Sequence, residues 1–218
     1  MLKHLTLAAG LALTASPAAA IVLDGAILRQ NGQGQFVKLE TDVPFAVGHD
    51  TFDTEHLYAF DEDQNITLEE AIRVDIGGID GVIPAQTVVA SHYVFFDSIA
   101  GVQYGYVDFD APILGVAAFQ DTMAATDFLA NTSVTYISPE LRGLEQGDYV
   151  WVDEEDPNRL WVLWAGSSPG DYVRVFTEKS LGAIVGIDGV ISAETVVASH
   201  YCHRSTFESE RVMGLDHS

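Results

Sequence analysis

The chain is poor in three features that often stabilise or anchor a small protein. It has one cysteine, Cys202, and three lysines, and after residue 20 it contains no long apolar run. A single thiol cannot form an internal disulfide, and a membrane-spanning helix needs about 20 consecutive apolar residues. We therefore expect the hydrophobic core alone to stabilise the fold, and we expect no membrane span in the mature chain.

Positive charge is also scarce. The chain has 32 acidic residues against 10 lysines and arginines, which gives a formal net charge of −22. Such a surface repels phosphate backbones and anionic lipid, so nucleic acid is excluded as an expected partner. The same surface attracts cations. The hydrophobic fraction of the chain, 48%, is ample for a core.

Residues 1–20 have the pattern of a secretory signal peptide. Lys3 and His4 form a basic start, an apolar stretch follows, and Ala18 and Ala20 give the A-x-A cleavage pattern. The sequence therefore predicts a secreted protein, extracellular or periplasmic, whose mature chain starts at Ile21. An uncleaved N-terminal membrane anchor is the alternative.

Short runs rich in β-branched and aromatic residues dominate the rest of the chain, with Gly, Pro, Asn and Asp between them. This pattern predicts an all-β fold, a β-sandwich of jelly-roll-like type, over residues 21–180. One short helix is expected at Asp121–Leu129, with Asp121 as its N-cap.

Two segments are apolar at every second position on both faces, as expected for covered strands. In Thr87–Phe96 the second face includes His92, which we interpret as a core histidine with a hydrogen-bond partner. Leu160–Trp164 is predicted to be a core strand for the same reason.

One stretch of the sequence occurs twice. Residues 78–93 and 186–201 are identical at 14 of 16 positions, and the match ends at Tyr201. We interpret residues 181–218 as a partial duplication, and we expect the tail from Cys202 onward to be mobile. The rival interpretation is that the second copy supplies a native strand of the sandwich.

Six motifs occur in an order that resembles a known group of proteins: AFDEDQNITL, IPAQTVVASHYVFFD, GYVDFDAPILGV, TDFLAN, ISPELRGLEQGDYV and SSPGDYVRVFT. Over residues 56–177 the chain is similar to a β domain of exported bacterial proteins of the PEP-CTERM-associated type. The family is largely uncharacterised, so the resemblance implies a secreted or surface-displayed β domain and no reaction. The Pro-Glu-Pro sorting tail of that group does not occur in this sequence.

An acidic segment suggests calcium as a cofactor. Asp61, Asp63 and Asn65 have the opening spacing of an EF-hand loop, but the Gly and the bidentate Glu of that loop are replaced by Ile66 and Ile72. A looser site formed by Asp61, Asp63, Asn65 and Glu69 is the metal-site hypothesis. The alternative is an acidic turn before a strand.

Several other acidic or nucleophilic patterns are candidate sites. The G-x-S-x-G motif around Ser168 is followed by Pro169, which has no N–H to contribute to an oxyanion hole. Asp108 and Asp110 could serve as paired glycosidase carboxylates or as a polar outer face. Residues 153–158 are interpreted as a solvated hairpin loop, and Arg142 as a clamp for Glu140, Glu145 or Asp148.

These observations predict a non-catalytic β-sandwich module with a structural or binding role in the extracellular matrix. Its expected partners are extracellular polysaccharide or surface proteins, with calcium as the candidate cofactor. A carbohydrate-active hydrolase or lyase that uses paired carboxylates is the alternative. A deep cleft with two carboxylates would favour the enzyme, and a shallow aromatic face would favour binding.

Overall fold

The computed structural model describes residues 19–98, 100–165 and 169–179, and nearly all regular elements are strands. One α-helix, α1, covers Gln120–Ala125, and two 3-10 turns cover Asp127–Leu129 and Pro139–Leu141. The strands are β1 Val22–Gln30, β2 Phe36–Lys38, β3 Phe45–Gly48, β4 Leu57–Asp61, β5 Ile66–Thr67, β6 Ile72–Arg73, β7 Ile76–Gly77, β8 Val82–Ile83, β9 Val88–Phe96, β10 Gln103–Phe109, β11 Ile113–Ala117, β12 Val134–Ile137, β13 Tyr149–Val152, β14 Arg159–Trp164 and β15 Asp171–Glu178.

Two sheets form the sandwich. The first has four antiparallel strands in the order β1-β10-β14-β13, and the second follows the order β2-β4-β9-β15-β11-β7. Apolar side chains of the two sheets pack into one buried cluster, which includes Val107, Leu160, Val94 and Val173. The predicted all-β sandwich with one short helix is confirmed.

A third layer covers the other face of the second sheet. Met123 of α1, Leu129 of the following turn and Val134 of β12 pack against aromatic side chains of β4, β9 and β15. β12 pairs in parallel with β3 in this layer. β9 is therefore covered on both faces, which explains why both alternating sets of its side chains are apolar.

His92 has the role that the sequence predicts. It is fully buried on β9, where Nδ1 lies 2.8 Å from Asp61 Oδ1 and Nε2 lies 3.0 Å from Thr177 Oγ1. Both ring nitrogens therefore have partners, as a buried imidazole requires.

Three sequence-based expectations need correction. α1 begins after Phe119, which is its N-cap residue, so Asp121 lies in the first turn and does not cap the helix. β14 is buried on one face and not on both, since Trp161 and Leu163 stay partly exposed. Arg142 binds Asp127 through two hydrogen bonds of 2.7 Å, and not the acids nearest to it in sequence.

Several predictions concern segments at or beyond the limits of the described residues. Ala18, the duplicated segment 186–201 and the tail after it lie outside them, as does Ser168. Ala20 is described and is buried against Ala90 and Ala111. Within the described ranges, no helix combines the length and the apolar character that crossing a bilayer requires.

Candidate functional site

The outer face of the four-stranded sheet carries a cluster of aromatic side chains. Side chains on a strand alternate between faces, and Val107, Leu160 and Val150 point into the core. Tyr106, Trp161 and Trp151 occupy the opposite face and form one row across β10, β14 and β13. Tyr104 lies two residues before Tyr106 on β10 and therefore on the same face. We call Tyr104, Tyr106, Trp151 and Trp161 the aromatic face.

Three of these rings are nearly parallel. The centroid of Trp161 lies 5.4 Å from that of Tyr104 and 6.1 Å from that of Trp151, with interplanar angles of 9° and 14°. Tyr104 and Trp151 are 6.3 Å apart at 16°. Because the three centroid distances are similar, the centroids form a triangle, and the rings do not stack in a single column. Trp151 is 38% exposed at the edge strand, so the patch is open to a ligand.

Polar partners fix the rings in place. Trp161 Nε1–H donates a hydrogen bond to Asp153 Oδ2 at 2.6 Å. The guanidinium of Arg159 lies 3.9 Å from the centroid of Tyr106, and it donates to both carboxylate oxygens of Asp108 at 2.7 and 2.8 Å. These contacts hold the aromatic face in one arrangement before any ligand binds.

The hairpin loop between β13 and β14 borders this face and is acidic. Asp153 Oδ1 accepts hydrogen bonds from the backbone N–H groups of Glu155 and Asp156, at 2.8 and 3.0 Å. The hydrogen bond from Trp161 and those from the backbone hold the pKa of Asp153 below its usual value. Glu154, Glu155 and Asp156 are exposed, as the prediction of a solvated loop requires.

Among the described acidic residues, Asp61, Asp63 and Glu69 are not in the one group whose carboxylate oxygens converge as metal ligands would. Asp61 binds His92, the Val22 N–H and Lys38 Nζ, the last at 2.9 Å. Asp63 Oδ1 accepts from the N–H of Gln64. Glu69 is in the wall of a cavity of about 650 Å³ that Asp121 and Phe128 also line. Asn65 adopts a left-handed backbone conformation, with φ of 58°. The calcium hypothesis stays a prediction.

A different acidic group is the compact one. Among the described residues, Asp50, Asp53 and Asp97 bring one carboxylate oxygen each within 4.8 Å of the others. Asp97 Oδ2 already accepts hydrogen bonds from the N–H groups of Thr51 and Phe52, at 2.9 and 2.8 Å. The carboxylate of Asp97 therefore fixes the loop before β4, and the group resembles many acidic loops that bind no ion.

The paired carboxylates proposed for catalysis both have internal partners. Asp108 is held by Arg159, and Asp110 Oδ1 accepts from the N–H of Ile21 at 2.7 Å. A second acidic pair lies inside the sandwich, where burial and the neighbouring carboxylate of Asp148 raise the pKa of Asp171 to about 9. Asp171 is 2% exposed, so a substrate cannot reach it in this conformation.

Sequence reasoning missed the aromatic face. A signal was available, because aromatic residues recur at every second position in YGY (104–106) and in YVW (149–151), each within a strand-like run. Comparison with known proteins adds no assignment: no family model, no curated protein and no solved structure matches this chain.

Proposed function

We propose that this chain is an exported, non-catalytic β-sandwich module that binds polysaccharide by stacking sugar rings on its aromatic face. The observation that carries the proposal is the set of three nearly parallel rings, Tyr104, Trp151 and Trp161, on the outer surface of a sheet. The C–H groups of a pyranose ring form a flat apolar surface that packs against an aromatic face. Partly exposed aromatic clusters of this kind mark binding surfaces.

Charge supports a sugar over other ligands that stack on aromatic rings. Nucleobases also stack on tryptophan and tyrosine, but their phosphates would meet a protein with a net charge of −22. An uncharged sugar polymer carries no such penalty. Export rests on the signal-peptide pattern of residues 1–20.

The hydrolase or lyase alternative has weaker support. Of the two surface carboxylates suggested for it, Asp108 is paired with an arginine and Asp110 with a backbone N–H. A general acid or base must reach the bond that it cleaves. Release of reducing ends or of unsaturated sugars during the binding assay would support this alternative.

The test is retention of the mature chain on insoluble polysaccharides and on soluble oligosaccharides, with and without millimolar calcium. We expect Trp151→Ala to weaken binding about tenfold or more, because truncation of an aromatic anchor removes most of its contact. Trp151 lies on an edge strand and is 38% exposed, so its truncation should leave the fold intact.

The matched control is Phe128→Ala, since Phe128 is 59% exposed and lies in the helical layer, away from the aromatic face. It should bind as the unmodified chain does. Retention on no polysaccharide, or equal loss in both variants, would contradict the proposal.

A further inference from the structure

The charges around the aromatic face are unevenly distributed. In the register of the sheet, Asp24 lies opposite Asp108, and Asp108 lies opposite Arg159, in the row next to Tyr106 and Trp161. The β13–β14 loop adds Asp153, Glu154, Glu155 and Asp156 at the same end. Six carboxylates and one guanidinium therefore lie at this end of the face, among the described residues.

The guanidinium of Arg159 has little capacity left for a ligand. Both oxygens of Asp108 accept its hydrogen bonds, and its flat face covers Tyr106 at 3.9 Å. Asp153 accepts the hydrogen bond of Trp161 Nε1–H, so the β13–β14 loop is tied to the ring edge at this residue. Carboxylates beside stacked rings therefore dominate the potential that a bound sugar meets at this end.

The opposite end of the face differs. Arg29 of β1 lies opposite Tyr104 in the register and is exposed. A cavity of about 320 Å³ there is lined by Arg29, Asn31 and Tyr104. The aromatic face is thus acidic at the end where Asp108 and the β13–β14 loop lie, and it carries a basic residue, Arg29, at the Tyr104 end.

We propose that the ligand is a polysaccharide of amino sugars that carry free amino groups, held by ring stacking on Trp151 and Trp161 and by ion pairs with the β13–β14 loop. This inference rests on the proposed function and adds the class of sugar. An ammonium group beside a stacked ring can pair with Glu154 or Glu155, and charge-assisted bonds of this type are stronger than neutral ones. Uronic and sulfated polymers would be repelled.

The experiment compares two oligosaccharides of equal length, a glucosamine hexamer and an N-acetylglucosamine hexamer, by calorimetric titration of the mature chain near pH 6. We expect the glucosamine hexamer to bind about tenfold more tightly. The preference should shrink as salt rises from 20 to about 500 mM, because exposed ion pairs are screened.

A matched pair of double variants separates local charge from net charge. Glu154→Gln with Glu155→Gln should reduce the preference several-fold and leave binding of the N-acetylglucosamine hexamer unchanged. Glu69→Gln with Glu70→Gln removes the same charge from another exposed pair, and it should change neither value. Trp151→Ala should weaken binding of both hexamers.

The outcomes distinguish the two proposals. If both hexamers bind equally and Trp151→Ala weakens both, polysaccharide binding stands and the amino-sugar inference is overturned. If the two double variants reduce the preference to the same extent, general attraction to an acidic protein explains it, and the inference is again overturned. If neither hexamer binds and no other polysaccharide is retained, both proposals fail.

Discussion

Two buried acids lie at β15 in opposite electrostatic environments: Glu62 is paired with an arginine of the strand, and Asp171, the first residue of the strand, has no cationic partner in the described part of the chain. Near the middle of the strand, Arg174 donates to both oxygens of Glu62, at 2.6 and 3.0 Å, and both side chains are fully buried. At its start, Asp171 is 2% exposed, and its Oδ2 has no hydrogen-bond donor among the described residues. The groups that raise its pKa besides burial are Asp148 and Glu145, both acidic.

The difference shows two solutions to one physical problem. A carboxylate cannot stay charged in a dry interior unless donors or a cation compensate it. Glu62 has a guanidinium, and it also accepts hydrogen bonds from the hydroxyls of Ser91 and Tyr136, at 2.7 and 2.5 Å. Asp171 has no such partner, so the raised pKa means that it keeps its proton at neutral pH. That proton can be donated to Asp148.

The largest expected effect comes from breaking the compensated site. Arg174→Met should lower the free energy of unfolding by about 3–5 kcal/mol, because it leaves Glu62 buried without its counter-ion. Urea unfolding at pH 7 measures this. Arg174→Met combined with Glu62→Met should recover part of the loss, since neither partner of this pair then remains as a lone buried charge. A double variant as unstable as the single one would contradict this account.

The uncompensated acid Asp171 should make the free energy of unfolding depend on pH. The pKa of Asp171 is raised to about 9 in the folded state, against about 4 for an unfolded aspartate. Between these values the folded chain holds a proton that the unfolded chain has lost. Stability from this site is therefore complete below about pH 4 and falls as pH rises toward 9, by at most about 1.4 kcal/mol per pH unit.

The variant Asp171→Asn removes this titration and keeps a donor for Asp148. Urea unfolding of both proteins at several values between pH 5 and pH 8 should give a declining stability for the unmodified chain and a flatter profile for the variant. Asp148, Glu145, Asp97 and Tyr172 also face this region, and they are common to both proteins. Equal slopes would show that Asp171 does not hold the proton.

The contrast between these two sites could not be predicted from the sequence, although much of the fold could. The apolar residues on both faces of Thr87–Phe96 correctly indicated a central strand, because both faces of such a strand must be covered to remove them from water. The sequence suggests nearby acids as partners of Arg142, but the fold of the helical layer brings Asp127 to it instead. Asp171 follows Gly170 and resembles an ordinary turn residue until the register places it beside Phe96 in the core.

The same limit explains the error at β14 and the weak sequence signal of β1. Leu160–Trp164 is apolar throughout, and sequence alone cannot tell a buried tryptophan from one on an open aromatic face. β1 is not recognisable from the sequence, because Asp24, Gly25 and Arg29 interrupt its apolar pattern. Its bulges, between Val22 and Asp24 and between Ile27 and Arg29, disturb the alternation that identifies a strand.

Asp61 lies between these extremes and gives the smallest expected effect. Its side chain is 20% exposed and contacts Lys38 Nζ at 2.9 Å, while Lys38 itself is 24% exposed. Burial raises the pKa of Asp61, but the contacts with His92, the Val22 N–H and Lys38 outweigh burial and lower it overall. The stability that this carboxylate contributes is therefore present above about pH 4 and is lost as pH falls through its lowered pKa.

Lys38→Met should cost only about 0.5–1 kcal/mol at pH 7, because solvent screens the pair and the other donors remain. The cost should shrink further in 0.5 M salt, measured by urea unfolding with Lys179→Met as the control for loss of one lysine. A loss close to that of Arg174→Met would mean that a partly exposed pair matters as much as a buried one, and the distinction between compensated and uncompensated burial would then not explain the stability of this fold.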